Sequence, residues 1–168
     1  MKNFYLRRLS ELFKRKPTAI KRPFKKRSSA KRRRYRPKLE AKGGLYDLKV
    51  IYNSLNQSYF DNKLELEITW FGSAQRRARR HRKLGLYCFR DKLIKIHRLL
   101  DQPHFPPYFI SYVVYHEMLH SVCPPVKAKR GRYRIHHSDF KRKEMEYAEY
   151  AVAKRWEEEN KRLFFHTS

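Results

Sequence analysis

The sequence VVYHEMLHSV, at residues 113–122, places two histidines four residues apart with a glutamate directly after the first. On a helix, residues i and i+4 lie on one face, so His116 and His120 can present two imidazoles to a single metal ion. Zinc lowers the pKa of a coordinated water to about 7, and the carboxylate of Glu117 is close enough to accept its proton. The motif predicts a Zn2+ site with Glu117 as general base, and it requires a third ligand from elsewhere in the chain.

The same pentapeptide can also arise by chance in a buried helix whose histidines only hydrogen-bond to their neighbours, so the flanking sequence decides between the two interpretations. The residues around the motif are apolar, as expected for a buried active-site helix. Two further histidines follow in IHHSDF, at residues 135–140, where a loop meets a helix. Either His136 or His137 can fold back onto the metal from that junction, and we therefore favour the zinc site.

The sequence contains patterns for both the helices and the strands that would position these residues. Residues 64–70 alternate apolar and polar side chains, which is typical of a strand, and residues 84–89 and 92–97 have the pattern of a hairpin. The expected helices are residues 45–60, about 108–121 and about 138–162. On the last of these, the residues expected to pack against the core are Met145, Ala148, Val152 and Trp156. The pattern predicts an α+β domain with a small antiparallel sheet.

Five short motifs occur in an order that resembles one known family. They are NQSYFDNKL (56–64), EITW (67–70), IKIHRLL (94–100), HEMLH (116–120) and HHSDF (136–140). Together they resemble the SprT-like domain, the zinc metalloprotease family that includes Spartan, over residues 45 to about 150. The resemblance implies a zincin-like fold with an HExxH active-site helix. It also implies hydrolysis of peptide bonds in proteins that are bound or crosslinked to DNA.

The third-ligand motif of that family, H-[GST]-x-x-F, is matched here by HHSDF. The resemblance therefore implies that His136 completes the zinc site with His116 and His120. His137 takes the position of a small residue in that motif and is the alternative third ligand. Many members also carry a Cys-rich zinc ribbon that binds DNA, whereas this sequence has only two cysteines. We therefore expect its basic segments to bind nucleic acid instead.

The sequence is strongly basic, with 42 Lys and Arg against 16 Asp and Glu and a formal net charge of +26. Such a charge favours polyanionic partners, either nucleic acid or an anionic membrane surface. Residues 1–44 form a basic arm with too few apolar residues to bury a core, so we expect it to be largely disordered. Within it, residues 3–16 have the pattern of a short amphipathic helix that is able to contact an anionic membrane. The arginines expected to bind nucleic acid without sequence specificity are Arg32, Arg33, Arg34, Arg76, Arg77, Arg79 and Arg80.

The sequence thus predicts a basic arm, residues 1–44, followed by a SprT-like metalloprotease domain, residues 45–168. The expected function is zinc-dependent hydrolysis of peptide bonds in protein substrates that are bound or crosslinked to nucleic acid. One alternative is a nucleic-acid-binding protein in which zinc is mainly structural, and another is a zinc hydrolase with a non-protein substrate. Few cysteines, no secretory signal and no apolar run of transmembrane length indicate a cytoplasmic protein associated with nucleic acid.

Overall fold

The computed structural model of the chain describes residues 38–74, 83–128 and 131–164. In those ranges the fold is mixed α+β, which confirms the expected class. Its helices are α1 (Leu48–Phe60), α2 (Pro107–Val122), α3 (Ser138–Glu144) and α4 (Tyr150–Glu159), and its strands are β1 (Glu67–Phe71), β2 (Gly85–Cys88), β3 (Leu93–His97), β4 (Val126–Lys127) and β5 (Tyr133–Arg134). Among the described residues, no helix has the length and apolar character that crossing a membrane requires. The helix predicted at residues 3–16 lies outside the described residues.

The strands β1, β2 and β3 form one small sheet in the order β1-β3-β2, with β3 in the centre. As the hairpin pattern predicted, β2 and β3 pair antiparallel across a short 3-10 turn, whereas β1 runs parallel to β3. The sheet is therefore mixed, and the prediction of an antiparallel sheet was wrong for β1. After β1 the chain passes to the opposite edge of the sheet, where it forms β2. The hairpin then reverses it, so that the strand beside β1 has the same direction as β1.

Helix α2 lies at the centre of the domain and is buried over most of its surface. Its neighbours are β2 and β3 of the sheet together with α1, α3 and α4. It begins at Pro107, where the fixed φ and missing N–H of proline suit the first turn. Residues on several faces of the helix, including Phe109, Ile110 and Leu119, are at most 1 % exposed. A helix that is apolar on nearly every face can be surrounded in this way, and the surrounding contacts hold the HEMLH segment in one position.

The predicted helix over residues 138–162 is instead two helices, α3 and α4, separated by a turn at residues 145–149. Tyr147 in the turn is buried, and its hydroxyl donates a hydrogen bond to the carbonyl of Tyr108 at 3.0 Å. The neighbouring backbone N–H of Ala148 donates to the hydroxyl of Tyr59 at 3.1 Å. With Tyr147 buried in the turn, two residues of the predicted core stripe face the solvent. Met145 is 58 % and Val152 is 52 % exposed. The single helix was therefore predicted wrongly, and so were Met145, Ala148 and Val152 as core residues. Trp156 packs against the core as predicted, with its ring centroid 4.6 Å from that of Phe109.

Residues 40–46 are attached to the domain by hydrogen bonds. The carbonyl of Glu40 accepts from the backbone N–H of Trp70 at 2.9 Å, next to β1. The carboxylate of Asp101 accepts from three consecutive N–H groups, those of residues 44–46, at 2.6–3.0 Å. The stretch just before residue 45 thus contacts the domain, although the sequence analysis assigns it to the arm. The boundary itself stays a prediction, because residues 1–37 lie outside the described ranges.

Candidate metal centre

Three histidines from two separate parts of the chain meet beside α2. His116 and His120 project from α2, and His136 lies just before α3. Each offers one ring nitrogen, and these nitrogens all lie within 4.8 Å of one another. The ring centroids are 4.9 to 5.1 Å apart. Three imidazoles at this separation are close enough to bind one metal ion.

The three imidazoles share one buried neighbour, the ring of Phe140. Its centroid lies 5.1 Å from that of His116 and 4.8 Å from those of His120 and His136. Phe140 is completely buried and lies in the first turn of α3, four residues after His136. A single core side chain therefore sets the position of α3, and with it His136, relative to the two histidines of α2.

The adjacent His137 does not join this group. It is the N-cap residue of α3 and is 9 % exposed, and its Nε2 atom has no hydrogen-bond partner. Within the described residues, the cluster with metal-binding geometry contains His136 and not His137. Of the two histidines that the sequence offers, the fold therefore brings His136 to α2.

A carboxylate that sequence reasoning missed orients one of the imidazoles. The Nδ1 atom of His116 lies 2.7 Å from Oε1 of Glu144, which also accepts a hydrogen bond of 2.7 Å from the hydroxyl of Tyr112. With Nδ1 donating to the carboxylate, Nε2 of His116 keeps its lone pair for a metal. Burial raises the pKa of Glu144, but the hydrogen bonds from His116 and Tyr112 lower it more, so the net pKa lies below the ordinary value. The only sequence signal for Glu144 is its spacing, four residues after Phe140 on the same face of α3.

The carboxylate of Glu117 is buried, with the residue only 6 % exposed, between α2 and the edge strand β2. Burial raises the pKa of Glu117 to about 7, although His116, the backbone N–H of Tyr87 and Lys83 each lower it. A Cβ at position 85 would overlap this carboxylate and lie 2.6 Å from its Cγ atom. Glycine at position 85 therefore makes the approach of Glu117 to β2 possible, which sequence reasoning also missed.

The electrostatics of the cluster favour the neutral form of His120 and His136, the form in which an imidazole coordinates a metal. Burial, together with the nearby His116 and His136, lowers the pKa of His120 to about 4. Burial also lowers the pKa of His136, to which His116 adds. Three imidazoles with a carboxylate behind one of them match the donor set that zinc takes in three-ligand catalytic sites.

A pocket of about 410 Å³ opens beside these residues. His116, Glu117 and His136 lie in its wall, with Leu84 just before β2 on one side. The opposite side is formed from α3 and α4 by Lys141, Glu144, Lys154 and Glu157. Two of the three histidines, His116 and His136, thus border an open pocket.

The arginines predicted to bind nucleic acid, Arg32, Arg33, Arg34, Arg76, Arg77, Arg79 and Arg80, all lie outside the described residues. Comparison of the chain with protein-family models, with curated proteins and with solved structures finds no match. The resemblance to the SprT-like family stays a prediction.

Proposed function

We propose that this protein is a zinc metallopeptidase with a zincin-like domain of the SprT-like type. The observation that carries the proposal is the buried carboxylate of Glu117 beside a cluster of three histidines. Placing a carboxylate in such a site costs free energy, as its raised pKa indicates, and a purely structural zinc site does not need one. Structural zinc sites are also closed by four protein ligands, whereas this cluster offers three beside an open pocket.

The residues of the centre have distinct roles in this proposal. His116, His120 and His136 would hold the ion, which when bound supplies Lewis acidity and lowers the pKa of a coordinated water. Glu117 acts as general base, since a pKa of about 7 allows it to accept a proton and then deliver it to the leaving amine. Glu144 holds His116 in the tautomer and orientation that leave Nε2 free.

The edge strand β2 supports a peptide as the substrate. The backbone N–H of His97 donates a hydrogen bond to the carbonyl of Leu84. In an antiparallel pair every second residue bonds to the neighbouring strand, so the backbone groups of Leu86, two residues further on, also face β3. The backbone groups of Gly85 and Tyr87 therefore point to the free edge, where the N–H of Tyr87 contacts Glu117. An extended peptide can pair with the remaining groups at this edge, next to the metal centre. The net charge of +26 supports protein substrates that are carried on nucleic acid.

The decisive experiment compares wild-type protein with Glu117→Gln in two measurements. The first is the amount of zinc per chain after dialysis against a weak chelator. The second is cleavage of a protein substrate with and without single-stranded DNA. We expect Glu117→Gln to keep its zinc and to lose cleavage by about 10²–10⁴-fold, the usual contribution of a general base. His136→Ala should lose zinc, with His137→Ala as its matched control. Wild-type protein without zinc would refute the proposal. Unchanged function in Glu117→Gln would instead assign zinc a structural role in a nucleic-acid-binding protein.

A further inference from the structure

The hairpin of residues 126–135 joins the end of α2 to His136 and has no role in the metal centre. Its strands β4 and β5 pair antiparallel, with Val126 opposite Arg134 and Lys127 opposite Tyr133. The N–H of Ala128 donates to the carbonyl of Arg132 at 2.7 Å across the turn. Residues 129 and 130 lie outside the described ranges. We refer to the described residues 126–128 and 131–135 as the basic hairpin.

The basic hairpin exposes apolar side chains amid positive charge. Tyr133 is 68 %, Ile135 48 % and Val126 44 % exposed. The sequence from residue 118 to residue 138 contains no Asp or Glu, and its basic residues are Lys127, Lys129, Arg130, Arg132 and Arg134. An aromatic ring that is two-thirds exposed contributes little to a core, and no acidic neighbour in sequence balances these cations. The composition therefore indicates a polyanionic partner.

The register of β4 and β5 distinguishes between the two possible polyanionic partners, nucleic acid and an anionic membrane surface. Directly opposed residues share a face of a hairpin, so Lys127 lies beside Tyr133 on one face and Arg134 beside Val126 on the other. Each face thus carries one apolar and one basic side chain. An element that binds a membrane surface segregates its apolar residues onto one side, which this hairpin does not do. An aromatic ring next to a cation is instead the arrangement that binds single-stranded nucleic acid, by stacking on a base and contacting a phosphate.

We infer that the basic hairpin binds single-stranded nucleic acid, with Tyr133 stacked on an unpaired base and Lys127 on an adjacent phosphate. This inference rests on the nucleic-acid partner of the proposed function and names its site in the folded domain. Tyr133 is three residues from His136, so their Cα atoms are at most about 11 Å apart. Nucleic acid on the hairpin therefore passes the metal centre, where a protein attached to it meets the pocket.

The test uses the full chain carrying Glu117→Gln, so that binding is measured without cleavage. The probe is a short oligothymidylate with 5-iodouracil at one position, and crosslinked peptides are identified by mass spectrometry after irradiation. We expect a crosslink at Tyr133. We also expect Tyr133→Ala to weaken binding about tenfold at a salt concentration that suppresses phosphate contacts of the arm, since stacking does not depend on counterion release. Tyr133→Phe, which keeps the ring, should bind as tightly as the parent protein.

The matched control is Phe89→Ala, which removes an aromatic ring that is 73 % exposed in the β2–β3 turn. Equal losses of affinity in Phe89→Ala and Tyr133→Ala would overturn the assignment to the hairpin, and so would crosslinks confined to residues 1–44 or 72–83. Loss of binding to phosphatidylserine vesicles in Tyr133→Ala with unchanged oligonucleotide binding would assign the hairpin to a membrane and refute the inference. None of these results depends on peptide cleavage, so the hydrolase proposal is judged separately by its own zinc and cleavage measurements.

Discussion

The candidate metal centre takes its three histidines from two regions that are packed very differently. His116 and His120 belong to α2, which the sheet and three helices surround, whereas His136 is exposed and follows a hairpin of two-residue strands. The first region is fixed by core packing before any metal binds. The second is held to it by Phe140 and by hydrogen bonds that the side chains of His116 and Tyr112 make to Glu144 and that of Tyr115 to the carbonyl of Lys143. Changes around Glu117 should therefore impair the chemistry while leaving zinc bound, and changes on the α3 side should impair metal binding or stability.

The largest effect is expected for Gly85→Ala, which tests the α2 side without altering a ligand. The added methyl group would overlap the Glu117 carboxylate and displace it from its place beside the histidines. We expect peptide cleavage to fall by about 10²-fold or more, as for loss of a general base, with zinc content unchanged. The control is Gly44→Ala, where a Cβ would meet its nearest neighbour at an ordinary 3.6 Å. Full activity in Gly85→Ala would show that the position of this carboxylate does not matter.

The next effect concerns the side chain that joins the two regions. Phe140→Ala removes a completely buried ring that contacts all three imidazoles. We expect the free energy of unfolding of the metal-free protein to fall by about 3–5 kcal/mol, measured by urea denaturation. Phe89→Ala, at an exposed site, should change it by no more than about 0.5 kcal/mol. A similar small change in Phe140→Ala would mean that the α3 side is held by other contacts.

A smaller effect is expected for Glu144→Gln, which weakens the orientation of His116 while keeping the size of the side chain. Loss of the charged acceptor should lower zinc affinity about 10–100-fold, measured by competition with a chelator. Cleavage at saturating zinc should be largely kept, because Glu117 is unchanged. Glu146→Gln, at an exposed position in the turn after α3, is the matched control. Equal zinc affinities in the two variants would exclude a positioning role for Glu144.

The smallest effect is a pH dependence that should differ between the two regions. Burial holds the pKa of His120 at about 4 in the metal-free folded protein, below the 6.5 of an unfolded chain. The unfolded state therefore binds more protons, and stability that is present above pH 6.5 is lost as the pH falls towards 4, on the order of 1 kcal/mol. NMR titration of the metal-free protein should show His120 protonating at a lower pH than His136. The reverse order would contradict the greater burial of the α2 side.

Local patterns in the sequence were sufficient for the α2 side of the centre. The spacing of His116 and His120 requires only a helix, and the β2–β3 hairpin requires only alternation around a short turn, so each depends on residues close in sequence. The position of His136 was not predictable from spacing, and only the family resemblance separated it from His137. In the structure, His136 and not His137 reaches the cluster because the burial of Phe140 fixes the position of the first turn of α3.

Contacts between distant segments explain what the sequence did not predict. Glu144 meets His116 across 28 residues, and Gly85 meets Glu117 across the interface of a strand and a helix. Neither pairing leaves a local pattern. The end of α3 was also missed. Apolar residues recur at helical spacing through residues 138–162, so the local pattern predicts one continuous helix. The buried Tyr147 and its bond to the carbonyl of Tyr108 on α2 outweigh that periodicity.

The turn between α3 and α4 also determines how large a substrate the pocket can admit. A continuous helix from residue 138 would carry residue 157 about 28 Å away along its axis, at 1.5 Å per residue. The chain instead folds back, so that Glu157 and His136 line the same pocket of about 410 Å³. The five residues of the turn thus bring α4 to the pocket, although none of them is among the residues that line it. Insertion or deletion in this turn would change the size of accepted side chains while leaving the metal ligands in place.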